Sequence, residues 1–197
     1  MCLTLAKSLI MILLTSSFFL NSCVQSERTQ HQSNDPFASL NVYGSLPEFT
    51  GYTDENKPAN TTMLKSKVSI ISFFFTSCGD VCPKLNTVQS RIVKNHASNA
   101  LRFMSVTVDP LTDTQQHLRE HRQLMQFTDK RWFFVRMDND STLESFMNGM
   151  LVGYAENPQN HTARLILLDS NSRIRGYFDA LDKKQVDSLE SILEKVQ

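Results

Sequence analysis

The 197-residue sequence predicts an α/β fold, a mixed β-sheet with helices on both faces. Three observations predict it. Lys67 to Phe75 (KVSIISFFF) is a continuous apolar, β-rich run, the pattern of a strand buried on both faces. From there to residue 150, strand-like and helix-like periods alternate, as they do where helical crossovers join neighbouring strands. Two further β-rich runs then flank a polar Asp169-Ser-Asn-Ser turn and precede an amphipathic segment, which reads as an antiparallel hairpin and a closing helix.

The elements follow in chain order. Lys7 is the only charged side chain before a short apolar run from Ser8 to Leu20. A lone cation and a run shorter than the roughly 20 residues of a spanning helix fit a secretory signal peptide. The run ends in Leu20-Asn21-Ser22-Cys23, which resembles a bacterial lipobox. Residues 1–22 are therefore expected to be a lipoprotein-type signal peptide, with Cys23 lipidated. The body would then lie outside the cytoplasm, anchored to a membrane and facing the periplasm or cell exterior. Val24 to Pro36 is polar and lacks apolar periodicity, so residues 23–45 are expected to be a flexible tether. Residues 46–197 would form one domain with a proper core.

Within that domain, the Lys67–Phe75 strand leads into a helix opened by Pro83, with Leu85, Val88, Ile92 and Val93 at helical spacing. Proline is tolerated in a first turn. Leu101 to Val108 reads as a second strand. Thr114 to Phe127 reads as a helix with Asp113 or Thr114 as N-cap. Trp132 to Met137 is a third strand, and Ser141 to Met150 a short helix capped by Ser141. Ala163 to Leu168 and Arg173 to Phe178 form the hairpin, and Gln185 to Val196 the last helix. A βαβ start followed by a hairpin and helix is the thioredoxin-like arrangement, although the order alone leaves other α/β sandwiches open.

Charge excludes little and suggests nothing: the formal net charge is +0, or −1 once Lys7 leaves with the signal. No basic stripe points to nucleic acid. Cysteine is more informative. Cys2 leaves with the signal and Cys23 would be lipidated, which leaves Cys78 and Cys82. Two nearby thiols in an oxidising compartment form a disulfide or a metal site. A bridge across so short a loop constrains the unfolded chain little. The pair falls where a buried strand ends and a helix begins, the end of a sheet that reactive groups favour. The N-terminus of the helix favours thiolate, which both metal binding and thiol exchange require. Two thiolates suit Cu(I), and an added imidazole gives a set able to hold Cu(II). A structural zinc site would need a fourth ligand.

Other features have simpler readings. His117-Leu-Arg-Glu-His121 spells the inverzincin pattern H-x-x-E-H, but the layout around it is wrong, and the pair reads as a solvated helix face. His96 reads as a helix C-terminal residue, and Met147 and Met150 as core filler. A peroxiredoxin-type peroxidase wants threonine three residues before its cysteine, whereas Thr76 lies two before Cys78.

Phe73-Phe-Phe-Thr-Ser-Cys78-Gly-Asp-Val-Cys82-Pro83 resembles the signature of the Sco/SenC family of copper-handling thioredoxin-like proteins. Further matching pieces run in order: Ser105-Val-Thr-Val-Asp109-Pro110 with Asp113-Thr114, then Trp132, then His161-Thr162 before Leu165-Ile-Leu-Leu-Asp169, then Gly176-Tyr177. The resemblance runs from about Leu46 to the C-terminus. It implies a thioredoxin-like domain with an added N-terminal hairpin. It also implies a membrane-anchored metallochaperone that assists assembly of the binuclear copper centre of cytochrome c oxidase. The partners would be a copper ion, Cu(I) or Cu(II), and the copper-bearing oxidase subunit or a similar thiol protein. Cys78 and Cys82 would be the thiolate ligands, His161 the imidazole ligand, and Asp109 a nearby support residue. A thiol-disulfide reductase, or a copper or redox sensor, would use the same cysteine pair. Two positions depart from the family pattern: Gly79 stands where proline is usual, which should make the loop more flexible, and Asn160 stands where an acidic residue is common. An outer-sphere carboxylate raises a ligand's basicity, so Asn160 is expected to weaken Cu(II) binding or to favour thiol exchange.

Overall fold

The Lys67–Phe75 run becomes the strand at the centre of the molecule. A computed structural model describes residues 35–154 and 162–196. Its eight strands are β1 (Gly44–Ser45), β2 (Thr50–Thr53), β3 (Pro58–Asn60), β4 (Val68–Phe74), β5 (Leu101–Thr107), β6 (Trp132–Met137), β7 (Arg164–Leu168) and β8 (Arg173–Asp179). They form one sheet in the order β1-β8-β7-β4-β5-β6-β2-β3. β4 pairs in parallel with β5 along its whole length and antiparallel with β7. β5 and β6 are parallel, and every pairing outside β4, β5 and β6 is antiparallel. The sheet is therefore mixed, as the sequence predicts. The hairpin β2–β3 extends it beyond β6, which is the expected N-terminal addition. Gly51 makes that junction: a Cβ there would overlap the Arg136 carbonyl on β6.

Four helices, α1 (Val81–Asn95), α2 (Gln115–Leu124), α3 (Asp140–Gly149) and α4 (Lys183–Leu193), cover the sheet. All seven residues of β4 are buried, and neighbouring residues on a strand face opposite sides. Phe73 meets Phe146 of α3, whereas Phe74 meets His121 of α2. Ser72, on the Phe74 side, donates to Gln89 of α1 at 2.7 Å. So α1 and α2 lie on one face and α3 on the other. Glu190 of α4 accepts from Asn95 of α1 at 3.1 Å, which sets α4 beside α1. Ser72 and Ser105 are in register between β4 and β5 and hydrogen-bond at 2.9 Å, and Trp132 Nε1 donates to Ser105. Gln89, the two hydroxyls and the indole thus form one hydrogen-bonded chain inside the core. Met147 and Met150 are buried, as core filler should be. Among the described residues, no helix is long and apolar enough to cross a membrane.

Helix boundaries differ from the sequence reading, and α2 ends at Leu124 rather than Phe127. The first helix starts at Val81 rather than Pro83, because proline lacks only an N–H that a first turn leaves unbonded anyway. The cap of α3 is Asn139, not Ser141: Asn139 Oδ1 accepts from Thr142 N at 2.9 Å. The last helix runs Lys183–Leu193, capped by Asp182. Thr114 caps α2, accepting from His117 N.

Residues 35–45, read from sequence as the end of a tether, pack on the body. Phe37 is buried, and β1 pairs with β8. Arg175 of β8 holds the segment, donating to the carbonyls of Phe37, Leu40 and Asn41 and pairing with Asp169 at 2.9 Å. The expected signal peptide, Cys23 and residues 24–34 lie outside the described residues.

Candidate functional site

β4 ends at Phe74 and α1 begins at Val81, and the intervening loop carries Cys78. The loop starts with a tight turn in which Cys78 N donates to Phe75 O at 3.3 Å. Four residues on, Cys82 lies in the first turn of α1 and is almost wholly buried. Its N–H donates to Cys78 Sγ at 3.4 Å. Both cysteines are thiols in the structure. A Cβ added at Gly79 would meet nothing, so this side of the loop is open to a partner.

The two thiols are unequal. Partial burial pushes the Cys78 thiol up, but hydrogen bonds from the Cys82 thiol and from the N–H groups of Cys82, Asp80 and Val81 outweigh it, and Cys78 ends below the ordinary value. These are the unbonded N–H groups of a helix start, which stabilise an anion. Cys82 moves the other way. Burial, the hydrogen bond it gives Cys78, and the negative charges of Cys78 and Asp113 push it up to about 12, against a smaller opposing bond from the Phe75 backbone. The site therefore has one half-buried, anion-prone sulfur resting on a buried, proton-holding one.

A buried carboxylate lies behind this loop, and it is Asp113. It accepts from Thr76 N at 3.0 Å, from Thr76 Oγ1, and from Thr107 Oγ1 at 2.5 Å. Sequence reasoning offered Asp113 as a helix cap and as part of a matching motif, and named Asp109 as the support residue. Asp109 instead builds the turn before α2, its carbonyl accepting from Asp113 N at 2.8 Å. The signal missed was Thr76, a donor two residues before the cysteine.

The H-x-x-E-H stretch divides. His117 is exposed and its ring bonds Thr112 O at 2.6 Å, and Glu120 accepts from Gln116 at 2.8 Å. His121 corrects the solvated-face reading: it packs against Phe74, Phe127 and Phe134 and bonds Asn86 at 3.2 Å. Burial lowers its pKa despite the nearby Asp113 charge. Among the described residues, no three or more His, Cys, Asp or Glu side chains cluster to hold a metal ion. His161 and Asn160 lie outside the described residues. A shallow cleft of about 610 Å³, lined by Thr76, His117, His121 and Leu124 among others, opens beside the loop.

The sequence model of the SCO1/SenC family matches residues 43–197. A SCO2-like protein of Rickettsia prowazekii (strain Madrid E) is 28% identical over 137 residues, which span 60% of this chain and 62% of that protein. The chain thus matches less than two thirds of that relative's length. Among solved structures, BsSco is described as a member of the Sco family of cytochrome c oxidase assembly proteins with a disulfide switch. It superposes with a TM-score of 0.70 at 20% identity, over 79% of this chain and 95% of that one. ScoI of Bradyrhizobium japonicum with copper bound superposes with a TM-score of 0.61 at 19% identity, over 76% of this chain and 99% of that one. The architecture described above is therefore the thioredoxin-like fold of the Sco proteins.

Proposed function

The chain belongs to the SCO1/SenC family, and from that premise we propose that it is a copper carrier that serves assembly of the copper centre of cytochrome c oxidase. The observation that carries the reading is the meeting of two sulfurs at the first turn of α1, one of them stabilised as an anion. Soft thiolates at such a place suit Cu(I), and the ion is cargo rather than a resident cofactor. Cys78 and Cys82 would hold it, with His161 as third ligand by its place in the family motif. A relative of the same fold carries copper and another is an oxidase assembly protein by description, which supports the cargo and the recipient class. Lipidation at Cys23 would keep the carrier at the membrane and raise its effective concentration near a membrane-bound recipient.

The test is an anaerobic titration of the reduced chain with Cu(I) and Cu(II), repeated on His161→Ala. The expected outcome is one copper per chain for the wild type and loss of Cu(II) retention in the variant. If neither copper state bound at micromolar protein, the carrier reading would be dead.

The inequality of the thiols favours a second use of the same pair. Cys78 as thiolate would attack a partner disulfide, forming a mixed disulfide and releasing one partner thiolate. Cys82, once deprotonated, would attack Cys78 Sγ, closing the intrachain disulfide and releasing the second partner thiol. The partner gains two electrons and the pair loses two, so another dithiol must reduce the pair before the next cycle.

A further inference from the structure

We propose that Asp113 is a positioning residue for the cysteine pair, its buried carboxylate fixing Thr76 and, through Thr76, the turn that sets the Cys78 sulfur over the first N–H groups of α1. Asp113 is fully buried and accepts three hydrogen bonds from two other parts of the fold, two of them from Thr76. An ionised carboxylate only accepts, and bonds to it are the stronger kind. None of the three serves α2 as a cap. Thr114, the next residue, supplies that bond to His117 N, so helix initiation does not explain a buried aspartate before it.

The geometry leads from Asp113 to the sulfur in three steps. Asp113 is held from its own side, because its N–H donates to Asp109 O at 2.8 Å and its Oδ2 accepts from Thr107 at the end of β5. It then holds Thr76 by both backbone and side chain, which together restrict the backbone and rotamer of that residue. Thr76 is a central residue of the turn closed by Cys78 N and Phe75 O, so its conformation aims the next two residues. Cys78 Sγ arrives where Cys82 N can donate to it. None of these bonds reaches a sulfur; Asp113 positions the pair through Thr76, while its charge separately bears on the Cys82 thiol.

The test compares four full-length chains with wild type: Asp113→Asn, Thr76→Val, the double variant, and Asp169→Asn as a buried carboxylate at the opposite end of the sheet. Two quantities are read on each reduced chain, the Cu(I) dissociation constant against a chromophoric chelator and the rate at which Cys78 reacts with an aromatic disulfide. The Cu(I) readout rests on the carrier reading; the reaction rate does not. Each single variant at the clamp should weaken Cu(I) about tenfold or more, as loss of outer-sphere support does, and slow Cys78 measurably. The double variant should be little worse than the worse single one, because both remove the same link. Asp169→Asn should lower the urea midpoint and leave both readouts within about twofold, as expected for a distant site. The proposal is overturned if folded Thr76→Val matches wild type in both readouts, if the two single effects simply add, or if Asp169→Asn moves the readouts as far. Should Asp113→Asn fail to fold, Thr76→Val decides alone. If wild type binds no Cu(I), the carrier reading falls, and the Cys78 rates still decide the role of Asp113.

Discussion

Two thiols four residues apart differ because one sits over the start of a helix and the other inside it. Cys78 collects the N–H groups of Asp80, Val81 and Cys82, whereas Cys82 is enclosed by core and faces two negative charges. Thiol reactivity follows thiolate fraction and access. In the Cys82→Ser chain, Cys78 should react with an aromatic disulfide probe below pH 8.5, the region of an ordinary thiol, and stop at a stable mixed disulfide seen by mass spectrometry. Cys78→Ser should leave Cys82 far slower at the same pH. Equal rates for the two variants would contradict the assigned inequality. Asp109 and Asp113 show a related lesson: two carboxylates four residues apart in one motif divide between making a turn and bonding the cysteine loop.

Helix ends show how local chemistry and packing share the decision. Asp138-Asn139-Asp140-Ser141 offers four residues able to cap. The choice falls on Asn139, which is extended and accepts from both Thr142 N and Thr142 Oγ1. Starting there turns Leu143, Phe146 and Met147 into the core together. Asn139→Ala should therefore cost about 1 kcal/mol in urea denaturation, while Ser141→Ala, within the first turn, should be close to neutral. A larger loss for Ser141→Ala would restore the sequence reading. The early start of α1 matters more for chemistry, since beginning at Val81 places Cys82 within the helix and buries it.

Over the whole molecule, the cysteine loop and the packed segment 35–45 occupy opposite ends of β4. The loop follows Phe74, whereas Phe37 and Asp169 line a pocket with Val68 at the other end. Seven residues of strand put roughly 20 Å between them. Asp169 ties the far end together through Arg175, Arg173 and the N–H groups of Asn171 and Arg173. Burial pushes its carboxyl up, but these partners outweigh burial and hold it below the usual carboxylate range. A depressed folded-state pKa adds stability that is full above the unfolded value near 3.9 and is lost as pH falls through the folded value. Asp169→Asn should cost about 3 kcal/mol at pH 7, as breaking a buried pair does. The gap to wild type should shrink as pH drops below about 4. A gap that stayed constant down to pH 2 would show that the charge of Asp169 is not what stabilises this end of the sheet.

Most of this architecture was legible in the sequence because it follows from period and composition. The buried strand, the alternating helices, the hairpin around Asp169 and the closing helix all come from residues whose burial pattern is local. The cysteine pair was legible for the same reason, since a strand end, a short polar loop and a helix start are adjacent in the chain. Tertiary structure alone decided what stands behind that pair. Asp113 is 37 residues from Thr76 and His121 is 35 from Asn86, and only the parallel pairing of β4 with β5 brings each to its partner. It also decided that residues 35–45 belong to the body, because Arg175, more than 130 positions away, holds a segment that the sequence reading joins to the polar stretch before it. Periodicity reports which face of an element is apolar; it carries no record of which distant polar group that face will meet.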